Sequence, residues 1–135
     1  MALTKVTAAV IEPTAITDNI STGSISSDKI ANNAVSYAKL GSEFTTAAAL
    51  SASDVDFSTA QVFTKTLTAN DTLTFSNVST GMVKDLVITG NFTLTLPASV
   101  KVISGTYDGT VSNLIQIVAT NGATEQWASI SQEAV

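Results

Sequence analysis

Apolar and polar residues alternate with a period of two along most of the chain after residue 56. That period is typical of a strand with one face buried and the other in solvent. The pattern predicts about seven short strands, separated by turn residues such as Asn70-Asp71 and Asn121-Gly122. The predicted strands cover residues 61–68, 72–78, 85–89, 92–96, 100–104, 114–119 and 125–130.

Two features of this pattern guide the fold prediction. Gly90-Asn91 separates two alternating runs, which is a strong signal for a hairpin. Residues 114–119 form the most apolar run and predict a strand in the middle of a sheet. Many short strands with closely spaced turns are typical of a sandwich. We therefore predict a mainly β chain in which residues 56–135 fold as an antiparallel, jelly-roll-like β-sandwich.

The N-terminal part of the chain follows a different pattern. Its apolar residues recur at every fifth position: Ile25, Ile30, Val35 and Leu40. A step of five forms no single stripe on a helix and alternates between the two faces of a strand. The spacing predicts short extended pieces that are each followed by one helical turn. Such an arm has too few large apolar groups to bury itself, so it needs another surface or further copies of itself.

The remaining segments complete the predicted organisation. Residues 1–14 predict an extended strand that adds to a neighbouring sheet and ends at Pro13. Residues 43–50 predict a short helix capped by Ser42. The predicted regions are an extended arm (1–41), a helix and linker (42–55), and the β body (56–135). The candidate anchoring residues are apolar side chains of the arm: Val6, Val10, Ile11, Ile16, Ile20, Ile25, Ile30, Val35 and Leu40.

The amino-acid composition excludes several classes of function. The chain has no Cys and no His, so catalysis by a Ser-His or Cys-His pair is excluded. The net charge of −5 argues against a nucleic-acid partner. Asp54 and Asp56 are the only close pair of acids, and we interpret them as solvated rather than catalytic or calcium-binding. We expect a soluble protein that is not an enzyme, has no cofactor or metal, and spans no membrane.

Six aromatic residues follow residue 56, and ordinary core packing accounts for such a set. The alternative is a carbohydrate-binding module, which would expose a surface stripe formed by Trp127, Tyr107 or Phe57. The sequence leaves both interpretations open.

Two stretches of the sequence resemble segments of known proteins. The units Ser24-Ile25-Ser26-Ser27-Asp28-Lys29-Ile30 and Ala34-Val35-Ser36-Tyr37-Ala38-Lys39-Leu40 resemble repeats of tail fibres and other appendage proteins of tailed bacteriophages, cyanophages especially. Residues 62–78, followed by Thr93-Leu94-Thr95-Leu96-Pro97, resemble a small β module that recurs at the ends of these proteins. The resemblance implies a virion structural protein that works as a homotrimer.

The length of the chain bears on the kind of virion protein. A fibre usually needs an anchor, a shaft and a tip, whereas 135 residues provide an arm and one small body. We therefore expect a capsid decoration (cement) protein on the outer surface of the head, with the major capsid protein as its partner. The alternative is a short tail fibre or fibre adaptor that contacts tail or fibre proteins and turns its β body towards the host surface.

Overall fold

The computed structural model describes residues 30–32 and 34–134. The chain divides into two compact units, Met1–Ala38 and Lys39–Val135. In the first unit, the amide of Ala34 donates a hydrogen bond of 3.0 Å to the carbonyl oxygen of Ala31. A 3-10 helix at Tyr37–Lys39 follows, where the repeats predict their second helical turn.

The second unit consists almost entirely of strands and the loops between them. Its single described α-helix, α1, covers Ser42–Thr45. The described strands are β1 Ala48–Ala49, β2 Asp54–Asp56, β3 Val62–Thr66, β4 Asp71–Thr72, β5 Thr74–Ser76, β6 Val83–Thr89, β7 Leu94–Thr95, β8 Val100–Ser104, β9 Asn113–Asn121 and β10 Glu125–Gln132.

The first seven strands form stacked coils. Strands β1, β3 and β6 lie side by side in parallel and form one wall. Strands β2 and β5 form a second wall, and β4 and β7 form a third, both again in parallel. The chain therefore visits the walls in turn and returns to each of them one coil later. Parallel neighbours need a long connection between them, and the rest of the coil provides it.

The last three strands depart from the coil pattern and enlarge the first wall. Strand β9 pairs antiparallel with β6, and β10 returns antiparallel to β9 through the turn at Gly122. Strand β8 pairs in parallel with the other side of β10. The result is a six-stranded main sheet in the order β1-β3-β6-β9-β10-β8.

The hydrophobic core lies between the main sheet and the two small walls. Residues that point inwards from the main sheet, such as Leu86 and Ile115, are completely buried. Phe57 and Phe75 come from the opposite side of the coils, and their ring centroids lie 5.2 Å apart. Phe57 belongs to the same buried cluster as the inward residues of the main sheet, and Phe75 packs against that cluster, so one continuous core holds the coils together.

The mainly β character of the chain is confirmed, and each of the seven strands predicted for the β body overlaps a strand of the structure. The strand predicted over residues 1–14 lies outside the described residues. The predicted antiparallel sandwich is wrong. Among the described residues, the antiparallel pairs are those of β9, and the other strand pairs are parallel. Alternation could not reveal this difference, because a half-buried strand has the same period of two beside a parallel or an antiparallel neighbour.

The hairpin predicted at Gly90-Asn91 is also wrong. Strands β6 and β7 belong to different sheets, so these residues form a corner of a coil. The amide of Leu67 in the preceding coil donates a 2.7 Å hydrogen bond to Thr89 O at this corner. Gly90 has a φ of +108°, and a Cβ at this position would clash with the carbonyl oxygen of Leu67. A glycine is therefore required by the close approach of two coils.

The predicted helix over residues 43–50 is shorter in the structure. Helix α1 ends at Thr45, and its N-cap is Gly41, without a side-chain hydrogen bond, rather than Ser42. Ala48–Ala49 form β1 instead, because they pair with Phe63 and Thr64 at the edge of the main sheet. Tertiary pairing here overrides the helix propensity of alanine.

Polar side chains fix the corners of the coils. Lys65 Nζ lies 3.0 Å from a carboxylate oxygen of Asp71, and it donates a 2.7 Å hydrogen bond to Ala52 O in the preceding coil. The hydroxyl of Ser53 donates to the same carboxylate, and together with Lys65 it holds the pKa of Asp71 below its ordinary value. Buried Asn113 donates 2.7 and 3.0 Å hydrogen bonds to Asp108 O and Val111 O. These contacts hold loops against strands at positions where no backbone hydrogen bonds between paired strands are formed.

A side chain at Gly90, at the corner of a coil, should destabilise the fold. Gly90→Ala should lower the free energy of unfolding by at least about 3 kcal/mol, because it adds a clash with Leu67 O to the cost of a positive φ. Gly81→Ala is the matched control: Gly81 has a φ of +88° and open space around its Cβ position. We expect it to cost about 1–2 kcal/mol. Urea unfolding measures both, and equal losses would contradict the close approach of the coils.

Candidate interaction surface

Three of the predicted anchoring residues lie in the part of the chain that the structure describes. Ile30, Val35 and Leu40 are 46%, 63% and 41% exposed. Tyr37, which is not among the predicted anchoring residues, is also largely exposed, so large apolar side chains are accessible along the described repeat. The other anchoring residues fall outside the described residues: Val6, Val10, Ile11, Ile16, Ile20 and Ile25.

A second apolar surface lies on the side of the main sheet that faces away from the core. In β6, β9 and β10, buried and more exposed residues alternate, so one set of side chains points outwards. The register places Val83 opposite Val118, and Val118 opposite Trp127. These side chains are 39%, 40% and 44% exposed and form an apolar row across three strands.

A second row runs parallel to the first. Val87 lies opposite Leu114, four residues from Val83 along β6 and four residues from Val118 along β9. Between the rows lie Asp85, Gln116 and Ser129, and Gln116 is the cross-strand neighbour of the other two. We call these eight positions the outer face: Val83, Asp85, Val87, Leu114, Gln116, Val118, Trp127 and Ser129.

Asp85 is the only ionisable residue of the outer face. Its Oδ1 is buried and accepts no hydrogen bond from any residue that the structure describes. A buried carboxylate oxygen without a donor costs free energy. The centre of the outer face therefore has a hydrogen-bonding capacity that the described part of this chain does not use.

The rim of the outer face holds Trp127 in place. The indole Nε1 donates a 3.0 Å hydrogen bond to Glu125 Oε1, to which the Thr120 hydroxyl also donates at 3.1 Å. Lys101 forms an ion pair with the other carboxylate oxygen of Glu125. Hydrogen bonds from Lys101, Thr120 and Trp127, in that order, lower the pKa of Glu125. The carboxylate is charged at neutral pH and fixes the edge of the Trp127 ring.

Lys84 is the one described lysine that is buried, and it borders a cleft that Phe44 and Phe57 also line. Its Nζ donates hydrogen bonds of 2.7 Å to Ala60 O and 3.0 Å to Gln61 Oε1. Burial lowers the pKa of Lys84, and the charge of Asp56 opposes that shift. Both acceptors belong to the loop before β3, so this ammonium group fastens the loop to β6.

The acidic pair singled out in the sequence joins two coils. Asp54 accepts hydrogen bonds from the hydroxyls of Thr74 and Ser76, at 2.9 and 2.6 Å. Asp56 accepts a 2.8 Å bond from the amide of Asn77, which contributes most to lowering its pKa. Within residues 30–32 and 34–134, no group of three or more acidic side chains is arranged to hold a metal ion.

The aromatic residues considered for a carbohydrate stripe do not share a surface. Phe57 is buried in the core, which agrees with ordinary packing. Tyr107 is partly buried against the core, and its hydroxyl donates a 2.7 Å hydrogen bond to Gly90 O. Trp127 is exposed on the outer face, so the prediction that it packs in the core is wrong. One signal for this face was present in the sequence, because β9 carries apolar residues at both odd and even positions.

No family model, no curated protein and no solved structure matches this chain. Among the described residues, no helix has the length and apolar character needed to cross a bilayer. The described residues form two exposed apolar surfaces, namely the N-terminal repeat and the outer face.

The two faces of the main sheet should respond differently to the same substitution. Leu86→Ala should lower the free energy of unfolding by about 2–5 kcal/mol, because Leu86 is completely buried. Leu114→Ala makes the same chemical change on the outer face and should cost less than about 1 kcal/mol. Urea unfolding measures both losses. Similar losses would mean that Leu114 is a core residue of the single chain.

Proposed function

We propose that this protein is a non-enzymatic structural protein of a bacteriophage virion. It forms a homotrimer, attaches to the major capsid protein through its N-terminal arm and stabilises the head as a decoration (cement) protein. The β body stands on the outer surface of the capsid. This proposal follows from the resemblance of the repeats and of the β module, together with the distribution of exposed apolar groups.

The observation that carries the proposal is the exposed N-terminal repeat. Ile30, Val35, Tyr37 and Leu40 all have large accessible side chains, although the chain has a well-packed core elsewhere. Burial of one such side chain against a partner contributes about 1.5–3 kcal/mol. Three arms of a trimer would act together, because the second and third arms bind at a high effective concentration.

The polar groups support a structural role. Asp54 and Asp56 hold hydroxyl and amide groups of the next coil, and Lys84 holds two acceptors of a neighbouring loop. These side chains are used to fasten coils and loops. A body built in this way gains rigidity, which suits a protein that is displayed on a particle.

Attachment can be tested by deletion. Residues 1–38 form a unit of their own, so a chain that begins at Lys39 should keep its β structure, as measured by circular dichroism. It should no longer bind purified heads that lack the protein, as measured by co-sedimentation. Undiminished binding of the truncated chain would contradict the proposed anchor.

A matched pair of substitutions gives a finer test of the same anchor. Val35→Asp and Ser36→Asp introduce the same carboxylate at adjacent exposed positions, but only the first removes an apolar side chain. We expect Val35→Asp to weaken head binding by about tenfold or more, and Ser36→Asp to change it much less.

The alternative proposal is a short tail fibre or fibre adaptor whose β body faces the host surface. The stacked coils favour it in one respect, since coils can be repeated along a fibre axis. Copy number separates the two proposals. Quantitative mass spectrometry of purified particles should find this protein in numbers similar to those of the major capsid protein if it is a decoration protein. A few copies per particle would favour the fibre.

A further inference from the structure

We propose that Asn121 is a site of spontaneous covalent modification, in which the backbone nitrogen of Gly122 attacks Cγ of the Asn121 side chain. The amide of Gly122 gives its proton to the solvent, the new C–N bond closes a succinimide ring, and the side-chain nitrogen leaves as ammonia. One water molecule then opens the ring at either carbonyl carbon, which yields aspartate or isoaspartate. Nothing is oxidised or reduced, so the reaction needs no cofactor, and it does not depend on the proposed function.

The attacking nitrogen is free to react. Gly122 lies in the turn between β9 and β10, and its amide donates no hydrogen bond to any residue that the structure describes. An amide in a strand ladder exchanges its proton only after the ladder opens, and this amide avoids that step. Gly122 has no side chain to obstruct the attack. A Cβ built on it would come no closer than 3.7 Å to Val78 O, so there is room for the ring.

The side chain that is attacked is also unengaged. Asn121 is the last residue of β9 and is exposed, and its side-chain amide forms no hydrogen bond with the described part of the chain. The bonds that close the turn use carbonyl oxygens instead. The amide of Thr124 donates to Asn121 O at 3.0 Å, and Gln126 Nε2 donates to Gly122 O. The turn is therefore held together without occupying either reacting group.

Other asparagines of the described chain lack this combination. Four of them are followed by a described residue, and in none is that residue a glycine. The side chains of Asn70, Asn77 and Asn113 each form a hydrogen bond. The amide that follows Asn91 donates a 2.9 Å hydrogen bond to Gly90 O. Each of the four thus has at least one of its two reacting groups engaged.

The modification would change the charge at the end of the β9–β10 pair. Asn121 lies opposite Glu125, whose carboxylate has a pKa lowered by hydrogen bonds from Lys101, Thr120 and Trp127. A carboxylate in place of the Asn121 amide puts two like charges opposite each other, and such pairs destabilise a sheet. The net charge of the chain changes from −5 to −6. Isoaspartate also lengthens the backbone by one carbon atom at the turn.

Peptide mapping of the full-length protein tests the proposal. The protein is incubated at neutral and at mildly acidic pH, cut into peptides, and analysed by mass spectrometry. We expect the peptide that contains Asn121 to gain one mass unit and to separate into two products. Asn121→Asp provides the standard for one of them. The conversion should be slower at acidic pH, because the amide of Gly122 must lose its proton before it attacks.

Two controls make the result decisive. Gly122→Ala should fold, because there is space for its Cβ, and should slow the conversion severalfold, because the methyl group obstructs the attack. Incubation of the unmodified chain in urea gives the rate without the turn, and it decides the outcome if the variant does not fold. An Asn121 that converts in urea but stays intact in the folded protein would overturn the proposal. Earlier conversion of Asn70, Asn77, Asn91 or Asn113 in the folded protein would overturn it as well.

Discussion

One row of buried side chains determines the arrangement of the main sheet. Phe63, Leu86, Ile115 and Ile130 are direct neighbours across four strands. The row is parallel between β3 and β6 and antiparallel beyond β6, yet each of its members points into the core. A slip of one residue in any pairing would turn that strand's core residues outwards, so burial of this row enforces the register of all four strands.

The outer face is a consequence of the same register. When Leu86 and Ile115 are buried, the residues beside them must point away from the core, and some of these are apolar. Val83, Val118 and Trp127 then align because their strands are held side by side. The interaction that stabilises the body thus also creates the outer face.

Polar contacts have a complementary role at the corners, where the ladders are interrupted. Lys65 and Asp71 hold Ala52 O and the Ser53 hydroxyl of the preceding coil. Asn113 holds the loop before β9. Gly90 allows one coil to approach the next without a side chain between them. The apolar core fixes which face of each strand is inside, and these corners fix how the chain moves from one wall to the next.

The sequence by itself located the longer strands of the β body, because alternation is a property of a few adjacent residues. It missed β1 and β2, which are strands only because they pair with β3 and β5. The sequence also identified the exposed repeat at Ile30, Val35 and Leu40, since a spacing of five fits no packed element. Only the tertiary structure decided that the strands stack in parallel coils, that Gly90 lies at a corner, and that Val83, Val118 and Trp127 share a row. These features depend on pairing between residues that are far apart along the chain. A local pattern does not specify such partners, because a half-buried strand alternates in the same way whatever lies beside it.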